Sequence, residues 1–468
     1  MLKIFKHHIP IWSLVEVIAD SLLCFAAILL AAARISVGPF DAPNRAFPST
    51  ETLVWAAAFA AVMALLYAFV GLYRQGAIRV SLRALFGRGL FALSMGTCIA
   101  YIALQAEGNR DYALLLLVYA VPVMAVGVIA VRSVGWFARR SAVGARRVLI
   151  VGTGEEAQSV AADLAADSAS RHLLVGFYPT SCERTSNVFP APVFPVGMSI
   201  DDVVQQHRVD EVIVAVREQR GGGVPMNQLL ACRIRGIPVL DLAGFFERAK
   251  GEVPTDSLKA SWLVYGHGFV QDGMRTAIKR AFDVLVSSLL LLVALPVMVL
   301  TAIAIKLDSR GPVIYRQERV GLGGRTFLCL KFRSMTVDAE KDGVARWATK
   351  DDARVTRVGA FIRKSRIDEL PQLISVLRGE MSLVGPRPER PSFVKQLQAE
   401  IPFYDIRHSV KPGVTGWAQV RYTYGASVED ARRKHQFDLY YVKNHSLFLD
   451  LLVLVETVSV VLFREGAQ

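Results

Sequence analysis

The chain has 468 residues, of which 53% are hydrophobic and only 20% charged, and its formal net charge is +13. That length exceeds one ordinary domain, and soluble proteins carry about a quarter charged residues, so a disordered chain, a collagen-like chain and a purely soluble enzyme are all poor fits. The balance fits a membrane protein with substantial soluble parts. Its surplus of Lys and Arg then faces anionic lipid and phosphorylated substrates. No aromatic RNA-binding signature and no helix-turn-helix pattern points to nucleic acid. The five cysteines, Cys24, Cys98, Cys182, Cys232 and Cys329, include no CxxC pair, and the eight histidines form no metal-ligand spacing. Disulfide scaffold and structural zinc are disfavoured, and a reducing compartment suits the soluble parts.

Apolar stretches run over 11–33, 53–72, 82–104 and 112–131. Each is about 20 residues, enough at 1.5 Å per residue to cross a hydrocarbon core of about 30 Å. The first is too long for a signal-peptide core and lacks a cleavage site, so it reads as a span. Glu16 and Asp20 lie inside it, one helical turn apart; packing within a bundle is favoured over a proton relay. Lys3 and Lys6 precede the first span, Arg74, Arg79, Arg83 and Arg88 crowd the second loop, and Arg132, Arg139, Arg140, Arg146 and Arg147 follow the fourth. The remaining loops offer Arg34, Arg45 and Arg110, diluted by Asp41, Glu51, Glu107 and Asp111. The positive-inside rule makes residues 1–140 a four-helix transmembrane bundle with both ends cytoplasmic.

Residues 146–265 read as a Rossmann-like α/β domain. Residues 147–157 combine a short buried strand, a turn with Gly152 and Gly154, and a helix start where Ala157 allows close packing. Strands at 173–178, 211–216 and 237–240 continue the alternation. The second strand ends without the acid that would hold a ribose, and Glu155 and Glu156 put negative charge where a pyrophosphate would sit. A structural or regulatory role is therefore favoured over NAD binding.

Residues 284–305 are apolar and long enough to span, but Leu295-Pro296 interrupts them. Proline removes a backbone donor and clashes with the preceding turn, so a kink or break is expected. Two topologies compete: a kinked fifth span, or a helix that enters and leaves on one face. Residues 306–468 carry a net charge of about +8, more than half the total. A basic domain acting on a cytosolic nucleotide favours the re-entrant form. At 447–463 a further apolar stretch holds Asp450 and Glu456, so it reads as a surface-lying or core-packed helix.

The C-terminal region is dense in arginine around an adjacent acid pair, Asp368-Glu369. Such a pair suits phosphoryl transfer, with one carboxylate attacking or binding metal while guanidinium forks hold phosphate oxygens. The bland alternative is a helix N-terminus, where both acids favour the dipole and Pro371 sits in the first turn. Spacing alone leaves both open.

The motif series settles the preference. KRAFD at 279–283, KFRSM at 331–335, RKSRIDELPQL at 363–373, GEMSLVGPRPERP at 379–391, KPGVTGWAQV at 411–420 and DLYYVKN at 438–444 occur in this order. Residues 279–468 resemble the bacterial sugar transferase family, the monotopic polyisoprenyl-phosphate hexose-1-phosphate transferases. With the modules ahead of it, the whole chain resembles the long, exopolysaccharide-initiating members. The resemblance implies a catalytic domain with a re-entrant helix at 284–305, in the bacterial inner membrane with its soluble parts cytoplasmic. It implies transfer of a sugar-1-phosphate from a UDP-sugar to undecaprenyl phosphate, UMP release, a covalent carboxylate–phosphosugar intermediate and Mg²⁺ as cofactor.

In that resemblance Asp368 matches the nucleophile and Mg²⁺ ligand, Glu369 its catalytic partner, and Arg363 and Arg387 the arginines that hold phosphate. Lys279, Arg280 and Asp283 match the start of the membrane helix and Pro296 its helix-breaking proline; the family often has serine where this chain has Leu295. Lys331 and Arg333 either contact the nucleotide diphosphate or pin the sheet to lipid headgroups. Gly413, Gly416 and Trp417 shape a turn near the substrate, with packing a close rival. The extra modules point to a homodimer in the membrane lipid. The competing enzyme class, a membrane-anchored NAD-dependent nucleotide-sugar dehydratase or epimerase, needs a YxxxK pair, and no tyrosine here is followed four residues on by lysine. A non-enzymatic export partner would leave the acid pair unexplained.

Overall fold

A computed structural model describes residues 2–4, 7–9, 11–36, 49–73, 82–106, 110–140, 145–166, 172–180, 190–195, 197–216, 224–255, 269, 272–337, 354–422, 425 and 427–463. Arg45, Arg74, Arg79, Glu107, Cys182 and residues 256–268 and 338–353 lie outside the described residues. The chain is a membrane protein with α/β content, and it divides into two compact units at Lys250 and Gly251.

In the first unit, α1 (Ile11–Ser36), α2 (Thr50–Phe69), α3 (Leu82–Ala106) and α4 (Arg110–Arg140) each hold a stretch long and apolar enough to cross a membrane. Helix α1 packs on α2 and α4, and α3 on α2 and α4. The two acids of α1 are internal, as packing requires. Arg132 Nη1 donates to Glu16 Oε2 at 3.0 Å, Arg132 Nη2 donates to Asp20, and the Tyr73 hydroxyl donates to Asp20 Oδ2 at 2.9 Å. Arg132 is therefore not a loop charge. Helix α4 runs on past it, and its side chain is 1% exposed. Two acids and one arginine lock α1 to α4 because an uncompensated charge in this apolar setting would be costly.

The α/β part follows as β1 (Arg146–Val151), α5 (Glu155–Ala166), β2 (His172–Tyr178), α6 (Ile200–His207), β3 (Glu211–Val214), α7 (Met226–Ile234), β4 (Val239–Asp241) and α8 (Leu242–Lys250). Its four strands are parallel in the order β2-β1-β3-β4. Alternate residues of β1 face opposite ways. Val148 and Ile150 pack with Ala157, Val160 and Phe245, whereas Leu149 and Val151 pack with Val203 and Val204. Both faces are covered, which is why these strands read as unbroken apolar runs. Gly152 takes φ +127°, and a Cβ there would stand 2.6 Å from the Ala215 carbonyl oxygen, so only glycine fits the turn.

The second unit opens with residues 251–255, which the sequence reading had grouped with the α/β part. They pack into its core: Trp417 Nε1 donates to the Gly251 carbonyl at 2.7 Å and Val253 is fully buried. Next comes α9 (Gly273–Asp308), 36 residues long. The helix runs on through Pro296 without interruption. Leu285, Leu289, Leu292, Val293 and Leu300 on α9 are each more than 60% exposed, an apolar surface suited to lipid rather than water. The antiparallel pair β5 (Ile314–Val320) and β6 (Thr326–Phe332) follows. Then come α10 (Arg357–Lys364), a 3₁₀ turn at Ile367–Glu369, α11 (Gln372–Arg378), β7 (Ser382–Val384) and α12 (Pro391–Glu400). A 3₁₀ turn at Tyr404–Ser409, β8 (Gly413–Thr415), α13 (Trp417–Arg421), α14 (Val428–Asn444) and α15 (Leu447–Phe463) complete the unit. Strands β7 and β8 pair in parallel. Helix α15 is core-packed on the face bearing Leu449, Val453 and Ser459, and its acids are paired: Asp450 with Lys279, Glu456 with Arg421.

Candidate active site

The acid pair occupies a tight bend. Arg366 adopts φ +59°, a left-handed conformation that a non-glycine residue takes only where its surroundings enforce it. The chain then makes the 3₁₀ turn Ile367–Glu369, and Pro371 leads into α11. The bland and functional readings thus coincide: the pair does precede a helix, and it is also buried, at 8% exposure for each residue.

The two carboxylates differ sharply in their partners. Glu369 Oε1 accepts from Lys331 Nζ at 3.0 Å and from Arg387 Nη2 at 2.8 Å, with Arg366 Nη1 at 3.9 Å. Asp368 Oδ1 is buried without a hydrogen-bond partner. Burial would raise Glu369, but Arg387, Lys331 and Arg366 outweigh it and hold the carboxyl well below its usual range. Asp368 moves the other way, raised by burial and then by the charge of Glu369, with Lys331, Arg366 and Arg387 opposing. Neighbouring acids whose environments separate them in this manner take separate chemical roles.

The turn that delivers Arg387 is packed too tightly for side chains. A Cβ on Gly385 would lie 2.3 Å from the Lys411 carbonyl oxygen, and one on Gly413 would lie 2.1 Å from the Gly385 nitrogen. These glycines let β7 and β8 run side by side, and β7 leads straight into Gly385-Pro386-Arg387-Pro388. Arg387 is partly exposed, and its Nε and Nη1 have no protein acceptor among the described residues. Trp417 is 1% exposed and stacks on Tyr440 with ring centroids 5.7 Å apart, which makes it a packing residue.

The remaining expected site residues divide. Lys331 reaches the acid pair. Arg333 does not: its Nη2 donates to the Ser309 carbonyl at 2.7 Å and to Ser309 Oγ at 2.9 Å, capping the end of α9. Arg363 lies in the last turn of α10 with no side-chain bond to either acid. Lys279, Arg280 and Asp283 join α9 to the site's scaffold. Lys279 Nζ binds Asp450 Oδ2 at 2.7 Å, Arg280 donates to the carbonyls of Val376 and Leu377 at 2.5 and 2.7 Å, and Asp283 Oδ1 accepts from the Leu383 amide at 3.3 Å. Arg280 thereby caps α11, the helix entered directly from the acid pair, and Asp283 holds β7. Pro296 lies mid-helix on α9, in the lipid-suited stretch.

Among the described residues no group of three His, Cys, Asp or Glu side chains could hold a metal. Mg²⁺ is commonly bound by one or two carboxylates together with water and substrate phosphates. The unpartnered Asp368 Oδ1 fits that mode, whereas Glu369 is already occupied by cations.

Behind the site lie two buried histidines. Burial and the Arg407 charge lower His408 to about 4 and His435 to about 3, from an ordinary 6.5. Both stay neutral in the folded state while the unfolded chain takes up protons below pH 6.5, so stability rises with pH between about 4 and 6.5. Thermal unfolding in detergent should therefore give a lower midpoint at pH 5 than at pH 7.5. His408→Gln should flatten that difference, and an unchanged slope in the variant would refute the assignment.

The model of the family "Bacterial sugar transferase" matches residues 274–464. The chain is 43% identical over 261 residues to a UDP-N-acetylgalactosamine-undecaprenyl-phosphate N-acetylgalactosaminephosphotransferase of Aeromonas hydrophila, covering 56% of this chain and 61% of that protein. It is 44% identical over 188 residues to the UDP-glucose:undecaprenyl-phosphate glucose-1-phosphate transferase of Escherichia coli (strain K12), covering 40% of each. It is 32% identical over 348 residues to the UDP-galactose-lipid carrier transferase of Erwinia amylovora, covering 69% of each. The chain belongs to the bacterial sugar transferase family. The matched part spans about two to three fifths of the first two relatives' own lengths.

Proposed function

We propose that this protein transfers a sugar-1-phosphate from a UDP-sugar to undecaprenyl phosphate and releases UMP, the first membrane step in building a glycoconjugate such as an exopolysaccharide. The observation that carries this reading is the contrast within the acid pair: Asp368 has a buried free oxygen, and Glu369 is saturated by Lys331 and Arg387. An Asp368 oxygen attacks the sugar-bound phosphorus and the phosphoanhydride bond to UMP breaks, giving an acyl-phosphate sugar. An oxygen of undecaprenyl phosphate then attacks that phosphorus, the acyl–phosphate bond breaks, and Asp368 is restored. Arg387, anchored at one nitrogen by Glu369, presents its other N–H groups to the phosphate oxygens. Asp368 would help to hold Mg²⁺, which would supply neutralising charge to the leaving phosphate. The three relatives act on N-acetylgalactosamine, glucose and galactose donors by name, so the family fixes the donor class and not the sugar. UMP release from a panel of UDP-sugars with undecaprenyl phosphate tests the reading, and no release from any of them would reject it.

We further propose the re-entrant topology for α9, together with four N-terminal spans and with both soluble parts cytoplasmic. Contacts at its two ends support it. Ile305 clusters with Ile362 near one end, beside Ile367, while Arg280 binds Val376 and Leu377 near the other. In a straight helix Arg280 and Ile305 would stand about 37 Å apart. The largely helical path from Ile367 to Val376 covers under about 20 Å. A bend at Pro296 would bring the two ends of α9 toward one another, in keeping with these contacts. Cysteines replacing Met274 and Arg310, both exposed at the ends of α9, should label only from the cytoplasmic side. Periplasmic labelling at position 310 would establish a fifth span instead. The α/β part, read as Rossmann-like, takes a structural or regulatory role, and stoichiometric NAD in the purified protein would overturn that.

A further inference from the structure

The turn that carries Arg387 is held by its carbonyls. The Pro386 carbonyl accepts from the Gly413 amide at 2.9 Å, the Arg387 carbonyl from Arg407 Nη2 at 2.9 Å, the Pro388 carbonyl from Arg319 Nη1 at 2.9 Å, and the Glu389 carbonyl from the Val320 amide at 2.9 Å. Four successive peptide units are thus tied to β8, the Tyr404–Ser409 turn and β5. Pro386 and Pro388 fix their own φ angles, and Pro388 confines Arg387 to a broad extended range of ψ without selecting a value within it. A hydrogen bond to the Arg387 carbonyl selects that value, and among the described residues the side chain that makes it is Arg407.

Arg407 is built for this task rather than for substrate. Its side chain is 5% exposed, Nε and Nη2 both reach Asp438 Oδ2 at 3.1 and 2.8 Å, and Nη1 donates to the Tyr404 hydroxyl at 2.7 Å. Asp438 on α14 is 2% exposed and neutralises it, so Arg407 adds no free positive charge behind the site. With Nε, one N–H of Nη1 and one N–H of Nη2 engaged, the guanidinium is held in its plane, and the second N–H of Nη2 has one fixed direction. That direction is the Arg387 carbonyl, one residue's backbone from the guanidinium that grips Glu369.

We propose that Arg407, oriented by Asp438, is a positioning residue for the phosphosugar transfer: it sets the backbone of Arg387 and through it the aim of the Arg387 guanidinium at Glu369 and the donor phosphates. This rests on the reading of Asp368 and Glu369 as the transfer site. Arg407→Lys keeps the charge opposite Asp438 but cannot span both Asp438 and the carbonyl in the planar fork. Misplacement of a catalytic group by about 1 Å can cost on the order of a hundredfold in rate.

The test is a double-mutant cycle on UMP release by the full-length protein in detergent, with UDP-sugar and undecaprenyl phosphate. Arg407→Lys should lower kcat by on the order of a hundredfold, with a much smaller change in KM for the UDP-sugar. Combined with Arg387→Lys, it should make that variant no slower, because Arg407 acts only through Arg387. Asp438→Asn should show the same non-additivity, and it carries the test if Arg407→Lys does not accumulate. Losses that multiply in the double variants would mean general structural damage and overturn the proposal. So would wild-type kcat in Arg407→Lys. Absence of UMP release from wild type would instead reject the parent reading, which keeps the two failures distinct.

Discussion

Asp368→Asn should abolish UMP release, by at least about a thousandfold, while leaving the protein as stable as wild type or more so. Loss of the nucleophile removes the first half-reaction, so the effect should appear even without undecaprenyl phosphate, when wild type releases UMP only once per site. The stability half follows from burial. Asp368 Oδ1 has no partner, and burial and Glu369 raise its pKa, so ionisation here works against folding. An amide of the same shape removes that charge. Incubation with donor radiolabelled in the phosphosugar should mark wild type and not the variant. Equal labelling, or near-normal turnover of Asp368→Asn, would sink the covalent role.

Glu369→Gln should also cripple turnover, but with a lower unfolding midpoint, the opposite sign from its neighbour. Glu369 is the counter-charge of Lys331 and Arg387, and its side chain is 10% exposed. Removing one partner of a buried ion pair typically costs about 3–5 kcal/mol, because the remaining charge stays desolvated. Arg387 would also lose the anchor that directs its free N–H groups. Since Glu369 is held well below the usual 4.5, its contribution is complete above that pH and is lost as pH falls through the lower folded value. The gap in midpoint between wild type and Glu369→Gln should therefore be full at pH 7 and shrink on acidification. A variant as stable as wild type at pH 7 would refute this account of Lys331 and Arg387.

Local pattern carried the sequence reading a long way. The four N-terminal apolar helices, the strands beginning at Arg146 and His172, and the acid pair with Arg387 are all visible as runs, glycine turns or motifs. What escaped it are partnerships across sequence distance. Arg132 follows an apolar run and so looks like a loop charge, and only a helix that continues to Arg140 turns it inward toward Glu16 and Asp20. Arg333 sits two residues from Lys331, yet the two diverge: Lys331 reaches Glu369, while Arg333 turns to Ser309. Arg407 and Asp438 are 31 residues apart on separate elements, with no periodicity to link them. Arg366 was legible as a nearby charge but not as the left-handed residue that folds the acids into a tight turn.

The ion cluster between α1 and α4 bears on how the chain is made. Glu16 and Asp20 leave the ribosome more than a hundred residues before Arg132, the side chain that neutralises them. During that interval α1 carries two acids without a counter-charge in the first third of its apolar stretch Ser13–Ile35, where burial in lipid is costly though less so than at the centre of a membrane helix. In the proposed topology, the hold of α1 in lipid is completed by a later helix. Its insertion should therefore become firm only when α4 arrives. A nascent chain stopped before Arg132 should be extractable from membranes by alkaline carbonate more readily than one stopped after Arg140.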